Sequence, residues 1–281
     1  MVTRAVFVGL ACIAVIATLS FVPNPADKVV FLDVGQGDAI LLQQGTAQVL
    51  IDGGPGMAVL KRLGEELPWF DRRIEVVVLT HPQQDHLEGL LHVLERYEVG
   101  LVLLPRVAHD SQLQAAWLQE LLDRSVPYRF VWAGQRLVAG DLTLQFLWPA
   151  DAPAAGAAAY ADINNASIVT RAEFGDLSIL LTGDAEARVE RLLAGELSSL
   201  LDVDVLKAGH HGSNSSTHPA LLAAVTPSAV VISVGVENRF GHPYPAVLGR
   251  LAGVPLWRTD QHGSVRFLSD GRRWWVGSDR R

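Results

Sequence analysis

The sequence predicts an α/β fold, a four-layer αββα sandwich preceded by one N-terminal transmembrane helix. Residues 5–22 are almost wholly apolar and carry no charge, and this length is close to what crosses a bilayer core. Downstream, short β-branched runs form a meander and then alternate with amphipathic helical patterns, which is typical of a mixed sheet covered by helices. The alternation occurs in both halves of the chain, so two such sheets can face each other.

The N-terminal segment predicts the location of the protein. Arg4 precedes the apolar run and Lys28 follows it, so the positive-inside rule favours a cytoplasmic N-terminus. No clean signal-peptidase site follows the run, which favours an uncleaved anchor over a signal peptide. We expect residues 1–27 to be the anchor and a Pro-rich linker, and residues 28–281 to be a globular domain. The protein would be a single-pass protein of the cell membrane with this domain extracytoplasmic.

In the first half, the patterns predict three strands joined by Gly-containing turns, then helices and strands in alternation. In chain order, these elements are strands at 29–34, 39–44 and 48–52, a helix at 57–67, a strand at 74–80, a helix that includes 90–94, a strand at 101–105 and a helix at 111–124.

The second half repeats this style around an Ala/Pro/Gly-rich stretch at 151–161, which we expect to be a surface loop. The predicted strands lie at 142–148, 167–174, 177–182, 203–208, 229–234, 256–258, 265–268 and 274–276, and the predicted helices lie at 185–194, 219–225 and 246–252.

Composition limits the kinds of site that the chain can build. The 281 residues are 49% hydrophobic and include a single cysteine, which excludes an intrachain disulfide and a Cys-rich zinc module. Any metal must therefore be held by histidine and carboxylate. The net charge of −7 argues against a protein that binds duplexes through many phosphates, so any DNA contact should be weak and sequence-indifferent. Arg and Trp interleave at 272–275, either as a clamp for single strands or as a final core strand.

Acidic and histidine side chains follow four of the predicted strands. His81, Asp85 and His86 lie in the run THPQQDHLEG, where a strand ends and a helix begins. Asp or His also enters a Gly-containing loop in the runs VLIDGG, ILLTGD and VLKAGHHGS. Imidazole and carboxylate groups suit borderline and hard divalent cations. Four such clusters indicate a metal site where the ends of strands meet.

These ordered motifs resemble the metallo-β-lactamase superfamily, whose pattern is an Asp after an early strand, HxHxDH, a His, a later Asp and a final His. The set FLDVGQGDA, NNAS, LLTGD, LKAGHHGS and FGHP is similar to the C-terminal hydrolase-like domain of the ComEC family, the DNA-uptake channel proteins of competent bacteria. The likeness runs from about Val29 to the C-terminus.

The resemblance implies which residues bind metal. Asp85, His86 and one of His210 or His211 would hold one ion, His81 would help to hold the other, and Asp184 would bridge the two. Asp85, Asp184 and His242 would be the catalytic residues. An ion pair held in this way lowers the pKa of a bound water and stabilises charge on a phosphorane, so phosphodiester hydrolysis is expected.

The chain departs from the superfamily pattern at two places. Gln83 stands where the superfamily has a second His, and the region of Asn165 supplies no middle His. The first metal position is therefore poor in ligands, and we expect one or two divalent ions, with Mn²⁺ favoured about as much as Zn²⁺.

Other residues are expected to orient ligands or to contact substrate, each with a structural alternative. Asp52 either orients a ligand histidine or forms a turn. Ser213 either donates to a phosphate or caps the following helix, and Lys207 either pairs with a phosphate or is solvated. The full set also includes Asp33, Gln36, Asp38, Gln83 and Asn165.

The resemblance implies a metal-dependent phosphodiesterase or nuclease that acts on DNA during competence-type uptake. It would work at the membrane beside a polytopic competence channel protein. Two alternatives stay open: the same fold acting on a small phosphodiester or another ester, and a non-catalytic module that guides DNA into a channel.

Overall fold

The computed structural model describes residues 27–107, 109–150 and 162–280. Within them, the strands are β1 (Asp27–Phe31), β2 (Ile40–Gln44), β3 (Ala47–Ile51), β4 (Arg73–Val78), β5 (Glu98–Leu104), β6 (Tyr128–Phe130), β7 (Arg136–Ala139), β8 (Leu142–Trp148), β9 (Val169–Phe174), β10 (Leu177–Leu181), β11 (Val205–Lys207), β12 (Ala229–Ile232), β13 (Leu256–Arg258), β14 (Val265–Ser269) and β15 (Trp274–Ser278). The α-helices are α1 (Ala58–Glu66), α2 (Gln84–Arg96), α3 (Gln112–Asp123), α4 (Ala187–Glu196), α5 (Pro219–Val225), α6 (Pro245–Arg250) and α7 (Thr259–His262).

The strands of the described chain form two mixed sheets. Sheet 1 has the order β15-β14-β1-β2-β3-β4-β5-β6, and sheet 2 has the order β13-β12-β11-β10-β9-β8-β7. Alternate residues of β1 show how sheet 1 is covered: Val29 and Phe31 pack in the core between the sheets, whereas Val30 packs beneath the helices. This period of two is what a strand buried on both faces requires.

Helices cover the outer face of each sheet. Leu63 of α1, Leu90 of α2 and Trp117 of α3 pack on sheet 1, while Leu193 of α4 and Leu221 of α5 pack on sheet 2. The layers are therefore helix, sheet, sheet and helix. The prediction of an α/β fold with two sheets covered by helices is confirmed.

Parallel pairing brings the ends of several strands to one edge. β3, β4 and β5 run parallel in sheet 1, and β10, β11 and β12 run parallel in sheet 2. The carboxyl ends of parallel strands are where α/β proteins bind ligands. The loops that follow β3, β4, β10 and β11 carry the motifs found in the sequence.

The sequence prediction missed β6, β7 and the four-residue α7. The residues of β6 are mostly exposed, and those of β7 alternate between exposed and half-buried, so neither has a run of buried apolar residues. The other predicted elements agree with the structure to within about three residues.

Two of the sequence predictions concern residues that the structure does not describe. The predicted anchor at 5–22 and the loop at 151–161 lie outside the described residues, and no described helix is long and apolar enough to span a membrane. β1 begins at Asp27, at the proposed boundary. The division into 1–27 and 28–281 stays a prediction.

Candidate metal centre

Asp52 connects the ends of β3 and β4. Its carboxylate accepts hydrogen bonds from the backbone N–H of Thr80 at 2.7 Å and the Thr80 hydroxyl at 2.7 Å, and it lies 2.8 Å from Nδ1 of His86. Because the carboxylate accepts the Nδ1 proton, Nε2 of His86 is free to act as a ligand atom. Of its two predicted roles, Asp52 therefore has the orienting one.

Helix α2 holds Asp85 and His86 in its first turn, close to the loop after β3. Gly89 makes this approach possible, since a Cβ there would lie 2.0 Å from the carbonyl oxygen of Gly53. The backbone N–H of Gly89 also donates to the carbonyl of Gly54 at 2.8 Å. The two glycine-containing segments thus fix how far α2 stands from sheet 1.

Asp184, three residues after β10, lies at the centre of the imidazoles. Its Oδ2 atom is 3.3 Å from Nε2 of both His86 and His211, 3.7 Å from Nε2 of His210 and 4.0 Å from Nε2 of His81. Ser167 accepts a hydrogen bond from the backbone N–H of Asp184 at 3.0 Å. The second half of the chain thus delivers a carboxylate to histidines from the first half.

The structure distinguishes His211 from His210. His211 is buried, donates from Nδ1 to the carbonyl of Ser233 at 2.9 Å and places Nε2 3.5 Å from Oδ2 of Asp85. The side chain of His210 is 22% exposed and faces the cleft. Both histidines have left-handed backbone, with φ of 48° and 54°, which is costly and typical of functional loops. We therefore take His211 as the inner ligand.

Asp85, His86, Asp184 and His211, here called the metal-centre cluster, fit a divalent cation. Asp85, His86 and His211 have ligand atoms close enough to share one ion, and Asp184 shares such groups with His86 and with His211. Three separations between neighbouring ligand atoms are 3.3, 3.3 and 3.5 Å, close to the distance of about 3.3 Å between ligands of a tetrahedral ion. Among the described residues, Nε2 of His86, Nε2 of His211 and both Asp184 oxygens are buried without a hydrogen-bond partner. Such atoms cost about 1–3 kcal/mol each when left unsatisfied, and a cation would satisfy them.

His81 adds a second, poorer position. The Thr80 hydroxyl, which donates to Asp52, accepts from Nδ1 of His81 at 3.0 Å. Nε2 of His81 is buried and has no hydrogen-bond partner among the residues described, and His81, His86 and Asp184 have ligand atoms close enough to share an ion. Gln83, which stands where the superfamily has a second His, lines the cleft.

The sequence of the chain is similar to a known protein family. A sequence profile described as the metallo-beta-lactamase superfamily matches residues 32–236. The chain belongs to the metallo-β-lactamase superfamily. The metallo-β-lactamase fold binds one or two divalent metals, and the superfamily includes metal-dependent hydrolases.

Curated relatives are longer proteins. "ComE operon protein 3" of Bacillus subtilis is 30% identical over 94% of this chain and 36% of its own length. "Competence protein ComA" of Neisseria gonorrhoeae is 29% identical over 88% of this chain and 33% of its own length. The chain thus spans about a third of the length of these relatives. The resemblance to the superfamily and to competence proteins is confirmed.

Solved structures share the metallo-β-lactamase fold. The metallo-β-lactamase fold protein YhfI of Bacillus subtilis gives a TM-score of 0.58 at 14% identity, covering 89% of this chain and all of that one. CmlA, a diiron β-hydroxylase of Streptomyces venezuelae, gives 0.55 at 19% identity, covering 88% of this chain and 55% of that one. At these identities the likeness concerns the fold alone.

Charges in the metallo-β-lactamase site favour bound cations. Burial opposes charge on His86 and His211, yet the Asp184 carboxylate raises the pKa of His86 well above its usual value and that of His211 to about 10. Burial likewise opposes charge on Asp184, but His211 and His86 hold its pKa well below the usual value. The carboxylates thus hold protons on the imidazoles, and a metal would replace those protons.

Lys207 neither lines the cleft nor faces solvent, so the structure shows neither of the two roles expected for it. Its ammonium is buried, 2.7 Å from Oδ2 of Asp38 and 3.0 Å from the carbonyl of Gly183. Burial alone would lower the pKa of Lys207, but the Asp38 carboxylate raises it by more, so this pKa lies above its usual value. Asp38 in turn lies 3.6 Å from Nδ1 of His211. Lys207 therefore neutralises an acid behind the histidines.

Two predicted residues lie outside the cluster. Asp33 faces Arg62 at 3.2 Å and Arg280 at 3.4 Å, because these guanidinium groups draw the carboxylate toward the surface. Asn165 accepts a hydrogen bond from the backbone N–H of Glu186 at 3.2 Å, so it holds a turn instead of facing the cleft.

Ser213 and Gln36 have structural partners near the site. The Ser213 hydroxyl lies 3.0 Å from that of Ser215 within the loop. It caps no helix, because α5 begins at Pro219 after the cap residue His218. Oε1 of Gln36 accepts from the backbone N–H of Gly235 at 3.1 Å, and Gln36 lines the cleft.

An open cleft of about 770 Å³ reaches Asp85 and His211 of the cluster, whereas His86 and Asp184 are buried. His242 lies in its wall; burial, followed by His210 and His211, lowers the pKa of His242 to about 4. Sequence reasoning did not assign a role to six other residues that line the cleft: Pro55, Gln84, Asn164, Asn238, Arg239 and Phe240. The signal that could have found the last two is the run RFGHPY after β12, which combines a cation with three rings.

Proposed function

We propose that this domain is a metal-dependent phosphodiesterase that cleaves DNA during competence-type uptake. The observation that carries the proposal is the metal-centre cluster, whose buried and unpartnered ligand atoms converge at the base of an open cleft. One or two ions of Zn²⁺ or Mn²⁺ bound there would polarise a phosphate and lower the pKa of a bound water.

The residues of the chain have distinct parts in this proposal. Asp85, His86, Asp184 and His211 hold the cation, while Asp52 and Ser233 orient two of the imidazoles. His242 is neutral near pH 7, because its pKa is lowered to about 4. It can therefore accept a proton or hydrogen-bond to substrate at the cleft wall, and it is a poor general acid.

The context of the reaction is also a proposal. A relative named as a competence protein supports DNA as the substrate and a polytopic competence channel as a partner. The apolar run at 5–22 supports attachment to the membrane with the domain on the extracytoplasmic side. The cleft is open to solvent.

The test compares ligand variants with a matched control in the full-length protein. His86→Ala and Asp184→Ala should each lose bound metal and lower DNA cleavage at least about 100-fold, because removing even the residues that orient ligands costs 10–100-fold. His92→Ala is the control, since His92 lies on α2 at the helix surface and contacts Glu95. Metal content by mass spectrometry and cleavage of single- and double-stranded DNA with Zn²⁺ or Mn²⁺ are the measurements.

Other outcomes would favour the alternatives. Hydrolysis of bis(p-nitrophenyl) phosphate without cleavage of either DNA form would replace DNA by a small phosphodiester. A protein that binds no metal, and in which His86→Ala changes no activity, would be the non-catalytic guiding module.

A further inference from the structure

The wall of the cleft carries a row of rings. Phe240 and His242 lie nearly parallel, with centroids 5.7 Å apart and planes at 25°. His242 is 5.5 Å from Tyr244 and 5.7 Å from His210. Phe240 is 46% exposed and Tyr244 is 40% exposed. We call Phe240, His242 and Tyr244 the aromatic shelf; it leads from solvent to His210 at the edge of the metal-centre cluster.

The loop that carries the shelf is held firmly. The side chain of Asn238 donates to the carbonyls of His242 at 2.7 Å and Gly235 at 3.1 Å, and it accepts from the backbone N–H of His242 at 3.0 Å. The backbone N–H of Tyr244 donates to the carbonyl of Gly212 at 2.9 Å. The shelf is thus anchored to the HHGS loop and needs little ordering when a ligand binds.

Gly212 sets how closely the two loops approach. A Cβ on Gly212 would lie 2.6 Å from Cβ of Pro243, and φ of Gly212 is +80°, a region that favours glycine. The distance between the shelf and His211 is therefore built into the backbone.

Arg239 adds a positive charge beside the exposed ring. Its guanidinium carbon lies 4.9 Å from the centroid of Phe240, and no carboxylate among the described residues forms an ion pair with it. Because Arg239 is exposed, its guanidinium can leave the ring for a phosphate while a base takes its place. An exposed cation–π contact is weaker than a stacked nucleobase, so the exchange is favourable.

We propose that the aromatic shelf binds an unpaired nucleobase next to the phosphate at the metal-centre cluster, with Arg239 on the neighbouring phosphate. This inference rests on the proposed phosphodiesterase function and makes its substrate a single strand. A base in a duplex is stacked on both faces and cannot offer one to Phe240, whereas a base in a single strand can. The contact does not depend on sequence, because every base has such a face.

The experiment uses the full-length, metal-loaded protein with two single strands of equal length, one normal and one abasic. Phe240→Ala should raise KM for the normal strand by about 5- to 160-fold, the range expected for one stacked base, and leave kcat and the abasic strand unchanged. Phe240→Trp should keep the wild-type KM. Phe70→Ala is the matched control, because Phe70 is 70% exposed and is absent from the cleft lining.

Two results would overturn the proposal: an unchanged KM for the normal strand in Phe240→Ala, or equal increases for both strands. Equilibrium binding of the two strands in a nuclease-resistant phosphorothioate form separates this proposal from the proposed function. If wild-type protein binds the normal strand more tightly than the abasic one and Phe240→Ala abolishes the difference, the shelf is correct even if no strand is cleaved. If the protein cleaves DNA but binds the normal and the abasic strand equally, the proposed nuclease function is supported and the proposal for the aromatic shelf is wrong.

Discussion

Each of the three buried imidazoles is fixed through its Nδ1 atom. His86 donates to Asp52, His211 donates to Ser233, and the Nδ1 atom of His81 meets the Thr80 hydroxyl. All three therefore present Nε2 toward Asp184, and the Nδ1 contacts decide which nitrogen would face a bound cation.

Asp52→Asn should weaken metal binding by about 10- to 100-fold, the usual cost of losing a carboxylate that orients a ligand histidine. Asp33→Asn is the matched control, since Asp33 also follows a strand and precedes a glycine-containing turn, but pairs with Arg62 and Arg280. Titration calorimetry with Zn²⁺ or Mn²⁺ measures both. Equal losses in the two variants would show that general charge, and not the contact with His86, sets the affinity.

Sequence patterns located the ligands better than their neighbours. Asp52, Asp184 and His86 could be predicted because each follows an apolar strand with a glycine nearby. Asp33 has the same signature, yet the structure turns it toward Arg62, 29 residues away in sequence. Lys207 likewise has no local signal for its pairing with Asp38. Which way a side chain faces depends on partners that are distant in sequence, and a single sequence does not show them.

Helix α2 depends on close packing against the loop after β3. The contact between Gly89 and Gly53 leaves no room for a side chain, and the same turn of helix carries His86. The position of the ligands is therefore coupled to the packing of the helix.

Gly89→Ala should destabilise the protein by about 1–3 kcal/mol, as overpacking does, and should weaken metal binding, because the first turn of α2 is displaced. Gly64→Ala provides the contrast within α1, where a Cβ would meet nothing within 4 Å. That change should stabilise the protein by about 0.5–1 kcal/mol, since alanine favours helix. Urea denaturation and metal titration are the measurements. A Gly89→Ala protein as stable as wild type would mean that α2 is free to shift.

Elements were predictable where a regular pattern is long. Helix α5 and β8 agree with the prediction residue for residue, because Pro219 marks the start of the helix and β8 has a seven-residue, mostly apolar pattern. β6 and β7 were missed, since edge strands with exposed side chains lack that pattern. Pairing with β5 creates β6, and its partners are distant in sequence. β7 pairs locally with β8 across the turn at Gly140 and Asp141, but its half-exposed residues give no apolar run to mark it.

The whole molecule joins ligands from both halves of the chain. Asp85 and His86 come from the sheet 1 half, and Asp184 and His211 come from the sheet 2 half. The sequence indicates each half separately, but the way in which two sheets stack follows from the core between them. The cleft with Arg239 and Phe240 exists only after that stacking.

The net charge of −7 predicts few phosphate contacts. The logarithm of the affinity for single-stranded DNA should fall with the logarithm of salt concentration with a slope of about −2 or shallower, at about 0.7 per contact. Arg239→Gln should make the slope shallower by about 0.7, which corresponds to the loss of one phosphate contact. Arg273→Gln should leave the slope unchanged. Arg273 directly precedes β15, at the end of sheet 1 where β1 begins. Fluorescence anisotropy over a salt series tests this, and a change with Arg273→Gln would place the strand at the C-terminal Arg and Trp residues instead.

β1 runs away from the N-terminus toward the cleft. Asp27 stands at its first residue, whereas Asp38 follows its far end, and five extended residues cover about 15 Å. If the preceding residues were fixed in a bilayer, the mouth of the cleft would stand off from the lipid headgroups by about the length of β1.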